Sequence, residues 1–399
     1  MALLDDILKL KKKEILSKLE AITLVQKLLK KLNKRERDVI VKRFGLKEKK
    51  RQTLAAIGKK LNLTRERIRQ IENFSLQKIR KNKDMEEIEA MASLIKEILE
   101  EHGGLMSKDY LMELLIDIFN DYHEDKKDKD VLINNFLFLI SNILDHELEK
   151  VKGSKYFDSY FRPKDKDTSH LEEIVEELEG EIKKNDEPKS TEDILKIIKD
   201  LKKSQDYQEK IKVNQDVDTA YFLNKKDNIF IEDENLINQN KTFYNLLRSA
   251  KNIDQNKFGE WGDKKSWKIN PKRLGEKAYL ILRNYDYPMH YLDVANLINS
   301  LGFNKKDANS ASVHNELIMN DNYKLMSRGK YGLIEWDDNK DNICDFVVNF
   351  LKDKPDGALF SDIYDYIISN RDVKKNNICF VLANRNIFRR EGDRFFLDI

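Results

Sequence analysis

The side chains best suited to chemistry are scattered along this sequence. The six histidines, His102, His123, His146, His170, His290 and His314, lack the HxH, HExxH or Cys/His spacing that would bring ring nitrogens onto one metal ion. The two cysteines, Cys344 and Cys379, lie in the apolar strings DNICDFVV and NNICFVLA, where a buried thiol is expected rather than a ligand or a disulfide framework. Neither a phosphate-cradling GxxxxGK[ST] loop nor a GxSxG elbow occurs, and no PD-(D/E)xK set falls on predicted strands. No enzymatic activity, metal or cofactor is expected.

The chemistry that does stand out is recognition. At about 100° per residue, Ile68, Ile71, Ser75 and Ile79 share one side of a helix running from Thr64 to Arg80. Glu66, Arg69, Gln70, Asn73, Gln77 and Arg80 fall opposite. One side packs and the other offers the side-chain types that read guanine, cytosine and adenine edges. The same pattern also describes a solvated helix laced with charge pairs. Charge distribution favours recognition: the net charge is +3, yet residues 1–83 hold 26 Lys and Arg against 9 Asp and Glu, and the remainder 48 against 62. A compact basic front is the electrostatic footprint of a module that faces phosphates. Lysine is abundant throughout, which does not explain why acids are scarce only at the front.

The elements that must position this helix are legible. Residues 2–32 place leucine, isoleucine and valine at three- and four-residue spacing among Lys and Glu, an amphipathic helix expected to fill 1–30. Leu54 to Leu61 forms a short helix, Asn62-Leu63 a tight break, and Thr64 an N-cap with Glu66 in the first turn. Beyond residue 83 a weak repeat recurs, in which a Gly or Pro precedes an Asp and an apolar helix. The pairs are Gly104 with Asp109, Pro188 with Asp193, Pro288 with Asp293 and Pro355 with Asp362. Each copy ends in a hairpin-like string, ELEKVKGSKYFDSYF, TAYFLNKKDNIFIED, YKLMSRGKYGLIEW and NIFRREGDRFFLDI. Helix, helix, helix and hairpin make a winged helix. The expected fold class is therefore mainly α: a helix-turn-helix at 31–83, then tandem winged helices at 86–163, 170–232, 272–336 and 341–399. Residues 233–271 are read as a linker with a helix, and polar connectors lie at 162–170 and 336–342.

The strings LNKRERDVIVKRFGL (32–46) and TLAAIGKKLNLTRERIRQIENFSLQKIR (53–80) resemble region 4 of the bacterial sigma-70 family, the part that reads the −35 promoter element, over residues 25–83. The resemblance implies base contacts from Arg65, Glu66 and Gln70, with Arg67 and Arg69 closing on backbone or bases. Asn73, Gln77, Lys78 and Arg80 extend that DNA-facing set, with Lys78 and Arg80, like Arg69, expected mainly on phosphates, and Thr53 and Thr64 stand at the helix starts. It also implies that Arg35, Arg37, Lys42, Arg43 and Phe44 offer a surface to RNA polymerase. Ala55 and Ala56 replace acids common in the family, and the loop KEKKRQ is unusually basic; both changes favour phosphate contact. Nothing before residue 25 matches the region that melts the −10 element, so a complete sigma factor is not expected.

Residues 272–336 resemble a second family, the HARE-type helix-turn-helix of the RNA polymerase delta subunit and some restriction endonucleases. The expected function is a DNA-binding transcription regulator or polymerase-associated factor with promoter-like duplex DNA and RNA polymerase as partners. An architectural or restriction-associated DNA-binding protein is the alternative. No apolar run reaches membrane-spanning length and no secretory signal is recognised, so a cytoplasmic, nucleoid-associated location is expected.

Overall fold

The computed structural model describes residues 20–81, 86–122, 128–211, 219, 233–303, 306–336, 343–370, 373, 375–383 and 387–398. It is mainly α, with small antiparallel sheets. Among the described residues no helix is long and apolar enough to cross a membrane. The chain divides into two compact units, one comprising 1–177, 199–226 and 233–251, the other 178–198, 227–232 and 252–399.

In the first unit, helix α1 (Ala21–Leu29) buries Ala21, Leu24, Val25, Leu28 and Leu29, the stripe its spacing predicts. The first nineteen residues of the expected N-terminal helix lie outside the described residues. Helices α2 (Lys34–Phe44), α3 (Leu54–Leu61) and α4 (Arg65–Arg80) form the helix-turn-helix. After it come α5 (Glu86–Glu101), β1 (Met106–Ser107), α6 (Lys108–Tyr122), α7 (Lys129–Asn142), β2 (Leu148–Val151) and β3 (Tyr160–Pro163). The strands form a sheet in the order β1-β3-β2, with Met106 opposite Phe161 and Lys150 opposite the same residue on the other edge.

This order explains the first copy of the repeat. Gly103 and Gly104 have φ of 93° and 90°, a region side chains disfavour, and the Gly104 amide donates to the Leu99 carbonyl at 2.7 Å to end α5. Two residues then pair as β1, and Asp109 falls in the first turn of α6, where the helix dipole favours an acid.

In the second unit the same order recurs from Leu274 to Leu333, where β4 (Met289–His290), β5 (Tyr323–Ser327) and β6 (Lys330–Leu333) pair in the order β4-β6-β5. It recurs again from Ile343 to Leu397, where Ala358–Leu359 joins the hairpin Phe388–Glu391 with Arg394–Leu397. The cores are aliphatic and aromatic. Ala278, Ile281, Val294, Ile298, Val313 and Leu317 fill the first, and Val347, Ile363, Ile367 and Val381 the second. Cys344 is buried and Cys379 half-buried, and burial pushes both thiols up to about 11.

The second repeat differs from its expected layout. Its expected hairpin at 219–233 lies outside the described residues except Thr219 and Asp233. The stretch read as a linker with a helix, 233–271, holds helices Glu234–Gln239 and Lys241–Ser249, the latter over the apolar run that marked the helix, and also a hairpin of Ile253–Gln255 with Trp261–Asp263. Lys189, just after Pro188, bridges antiparallel to Trp261, so this later hairpin takes the pairing place a wing would take. Trp261 secures it: the ring is 1% exposed and its Nε1 donates to Thr191 Oγ1 at 2.9 Å. Strands of three residues carry too little alternation to be seen in sequence.

Candidate nucleic-acid interface

The helix-turn-helix is built from capped, short helices. Asn33 and Glu36 form a reciprocal capping box at the start of α2, and Thr53 and Thr64 accept from the Ala56 and Arg67 amides at 3.2 and 3.1 Å. Between α3 and α4 the chain turns through Asn62 at φ 54°, which asparagine tolerates better than most residues. The turn closes tightly because Gly58 has no side chain: a Cβ there would stand 2.6 Å from the Leu63 carbonyl oxygen. Gly58→Ala is expected to push the helices apart at a cost of about 1–3 kcal/mol. Hydrogen exchange would show reduced protection across residues 54–80, whereas unchanged protection would refute the close approach.

Val39, Ile57 and Ile68 are the buried centre of this motif. Around it, Ile68, Ser75 and Ile79 of α4 are buried and Ile71 is half-buried, while Arg65, Glu66, Arg67, Arg69, Gln70, Asn73, Gln77 and Arg80 are exposed. The expected base-reading residues therefore share one open face. Glu66 and Gln70 are already paired along it. Arg69 Nη2 donates to Glu66 Oε1 at 2.6 Å, and Arg67 Nη1 to Gln70 Oε1 at 3.1 Å. The Arg69 guanidinium beside Glu66 holds its carboxyl below the usual range. A carboxylate kept ionised and aimed outward can accept from a cytosine amino group, and an arginine beside it can donate to guanine.

Two residues expected on phosphates have partners within the chain. Lys78 Nζ donates to Glu36 Oε1 at 2.7 Å, and Arg80 donates to the Asn142 carbonyl at 2.9 Å and to Asp145 Oδ2 at 2.7 Å. Burial pushes Glu36 up, but the Lys78 hydrogen bond, the Asn33 amide and the Lys78 charge outweigh it, leaving the carboxyl below its ordinary range. Arg51 and Lys49 of the basic loop likewise turn to the next module, with Arg51 Nε donating to Asn134 Oδ1 at 2.8 Å and Lys49 Nζ 2.9 Å from Asp128.

The surface expected to face polymerase is also engaged within the chain. Phe44 meets the edge of Phe138 with ring centroids 5.0 Å apart. Arg43 Nε lies 3.2 Å from Glu72, Lys42 Nζ 2.6 Å from Asp38, and Arg37 donates to the Leu29 and Leu32 carbonyls at 3.0 and 3.2 Å. Arg35 is exposed. Asn134 and Asn135 of α7 complete the seam by donating to the Gly45 and Leu46 carbonyls, each at 3.1 Å. Sequence reasoning missed this seam, although a signal was present. Two asparagines inside the apolar run LINNFLFLI are poor helix formers and must find partners once buried.

Residues 28–81 match the family model of sigma-70, region 4. This stretch is 54% identical over 59 residues to the RNA polymerase sigma-C factor of Nostoc sp. strain PCC 7120, covering 15% of this chain and 14% of that protein. It is 45% identical over 62 residues to RNA polymerase sigma factor RpoS of Coxiella burnetii, covering 16% and 18%, and 49% identical over 57 residues to RNA polymerase sigma factor RpoD of Helicobacter pylori, covering 14% and 8%. The matched stretch thus spans less than a fifth of each of these relatives. No solved structure matches the chain. The helix-turn-helix at the front is a sigma region 4 segment, a DNA-binding class.

Proposed function

We propose that this protein is a sequence-specific transcription regulator or polymerase-associated factor that reads −35-like promoter duplex through α4. The observation that carries this reading is the exposed row Arg65, Glu66, Arg69, Gln70 and Asn73 on a helix braced from below by Ile68, in the stretch that matches sigma region 4. The blocks at 86–163, 274–333 and 343–397 are read as winged helices, the second of HARE type, which support the reader or bind polymerase. The relatives are RNA polymerase sigma factors by name, which supports polymerase as the partner. The location that fits this role is the nucleoid.

Base-edge readers and phosphate holders give different signatures. Gln70→Ala or Glu66→Ala is expected to cost on the order of 1–3 kcal/mol on the preferred sequence and to relax specificity at one position. Arg67→Ala, if it removes a phosphate contact, weakens all sequences alike and shallows the salt slope by about one unit. Selection of a randomised −35-like library by the full chain tests this. Unchanged preference in both Gln70→Ala and Glu66→Ala would sink the reading. Protection of DNA with no −35-like preference would favour an architectural role.

A further inference from the structure

Phe74 lies on the reading helix and is 55% exposed. Among the described residues of its unit, it alone is a large hydrophobic side chain standing in solvent. At about 100° per residue it lies about 40° around the helix from Gln70, and about 6 Å further along the axis, one turn on. It therefore borders the open polar face, about 100° around from Ser75 on the packed side, where Ile68, Ser75 and Ile79 are buried. The ring is also held in place: Lys78 Nζ stands 4.6 Å from its centroid, and that ammonium is fixed by Glu36 at 2.7 Å. One side of the ring carries a cation, and more than half of the residue's surface stays open to solvent.

We infer that Phe74 is a base-methyl reader: its ring packs on the C5-methyl of a thymine in duplex DNA, one step beyond the base edge that Gln70 meets. The inference rests on the reading of α4 as the DNA-facing helix. Apolar contact is how a side chain distinguishes thymine in the major groove, because the methyl group is the feature that only thymine presents there. The surroundings favour a base-bearing partner over an apolar protein surface, since exposed Gln70 and Arg67 precede the ring by one and two turns on the same side of the helix, and its open face is polar. A lone phenylalanine among cations and amides is a poor protein-docking face, which needs a contiguous apolar patch.

The test replaces each thymine of the selected duplex, one at a time, by deoxyuridine, which differs only in lacking the methyl group. Affinities are measured for the full chain and for Phe74→Ala. One thymine is expected at which methyl loss weakens the parent protein about fourfold, as burial of one methyl group implies, and leaves Phe74→Ala unaffected. Phe74→Leu, which keeps an apolar contact, is expected to retain part of that methyl dependence. If the deoxyuridine profiles of the parent and Phe74→Ala coincide at every position, the assignment is overturned, and it is equally overturned if Phe74→Ala changes only the capture of a protein partner. The reading of α4 stands or falls separately, on whether Glu66→Ala and Gln70→Ala alter base preference in the same assay.

Discussion

Lys241→Met is expected to destabilise the first unit by about 3–5 kcal/mol, the cost of breaking a buried ion pair from one side. Lys241 is fully buried at the start of the helix Lys241–Ser249, and its Nζ lies 2.9 Å from Glu101 Oε2, a carboxylate 5% exposed at the end of α5. Removing the ammonium takes the ion-pair partner away from a carboxylate that is buried and at a helix C-terminus, where the dipole disfavours it. The double variant Lys241→Met with Glu101→Leu is expected to recover most of the loss, since a buried pair replaced by apolar groups of similar volume is close to neutral. Tryptophan fluorescence is blind to this event, because Trp261, Trp267 and Trp336 all belong to the other unit. Hydrogen exchange across residues 86–101 is the suitable probe. Equal protection in parent and single variant, or no recovery in the double variant, would show that the pair is not a buried charge pair in solution.

Acidification from pH 6.5 to about pH 4 is expected to remove about 3 kcal/mol from the same unit through His102 alone. The ring is completely buried, and burial depresses its pKa to about 4, with the Lys241 charge acting in the same direction and the Ile98 carbonyl against it. Nδ1 lies 2.7 Å from that carbonyl and Nε2 3.2 Å from the Thr219 hydroxyl, which suits a neutral ring that donates at Nδ1 and accepts at Nε2. Between the folded and unfolded pKa values the unfolded chain binds a proton that the folded one refuses. Stability is therefore complete above about pH 6.5 and falls as the pH drops towards 4. The glutamate beside it, Glu101, is tied to Lys241. His102→Gln is expected to flatten the pH dependence of exchange in α5 over that window. A slope unchanged by this substitution would place the titrating group elsewhere.

How much of this was legible in the sequence differs by element. The helix-turn-helix was read with its buried and exposed sides correctly divided, because a 3.6-residue period, the caps Thr53 and Thr64 and the Asn62 turn act through neighbours a few residues apart. The Gly104 repeat was visible for the same reason, since a helix stop and an acid in the next first turn lie within a short span. The hairpin of residues 253–263 was not. Its pairing with Lys189 lies more than sixty residues away in sequence and depends on Trp261 reaching Thr191.

The sequence by itself therefore determined the helix-turn-helix, its open polar face and the mainly α class, all set by local periodicity, capping and charge. Tertiary structure alone decided which of those polar groups remain open. Lys78, Arg80, Arg51 and Lys49 read as phosphate contacts in a list of charges, yet each has an acid, a side-chain amide or a carbonyl within reach. Those partners are supplied by residues 36, 128, 134, 142 and 145, far enough along the chain that only folding brings them close. The physical reason is that a cation's role is set by what desolvates and neutralises it, and here that environment is built by helices distant in sequence.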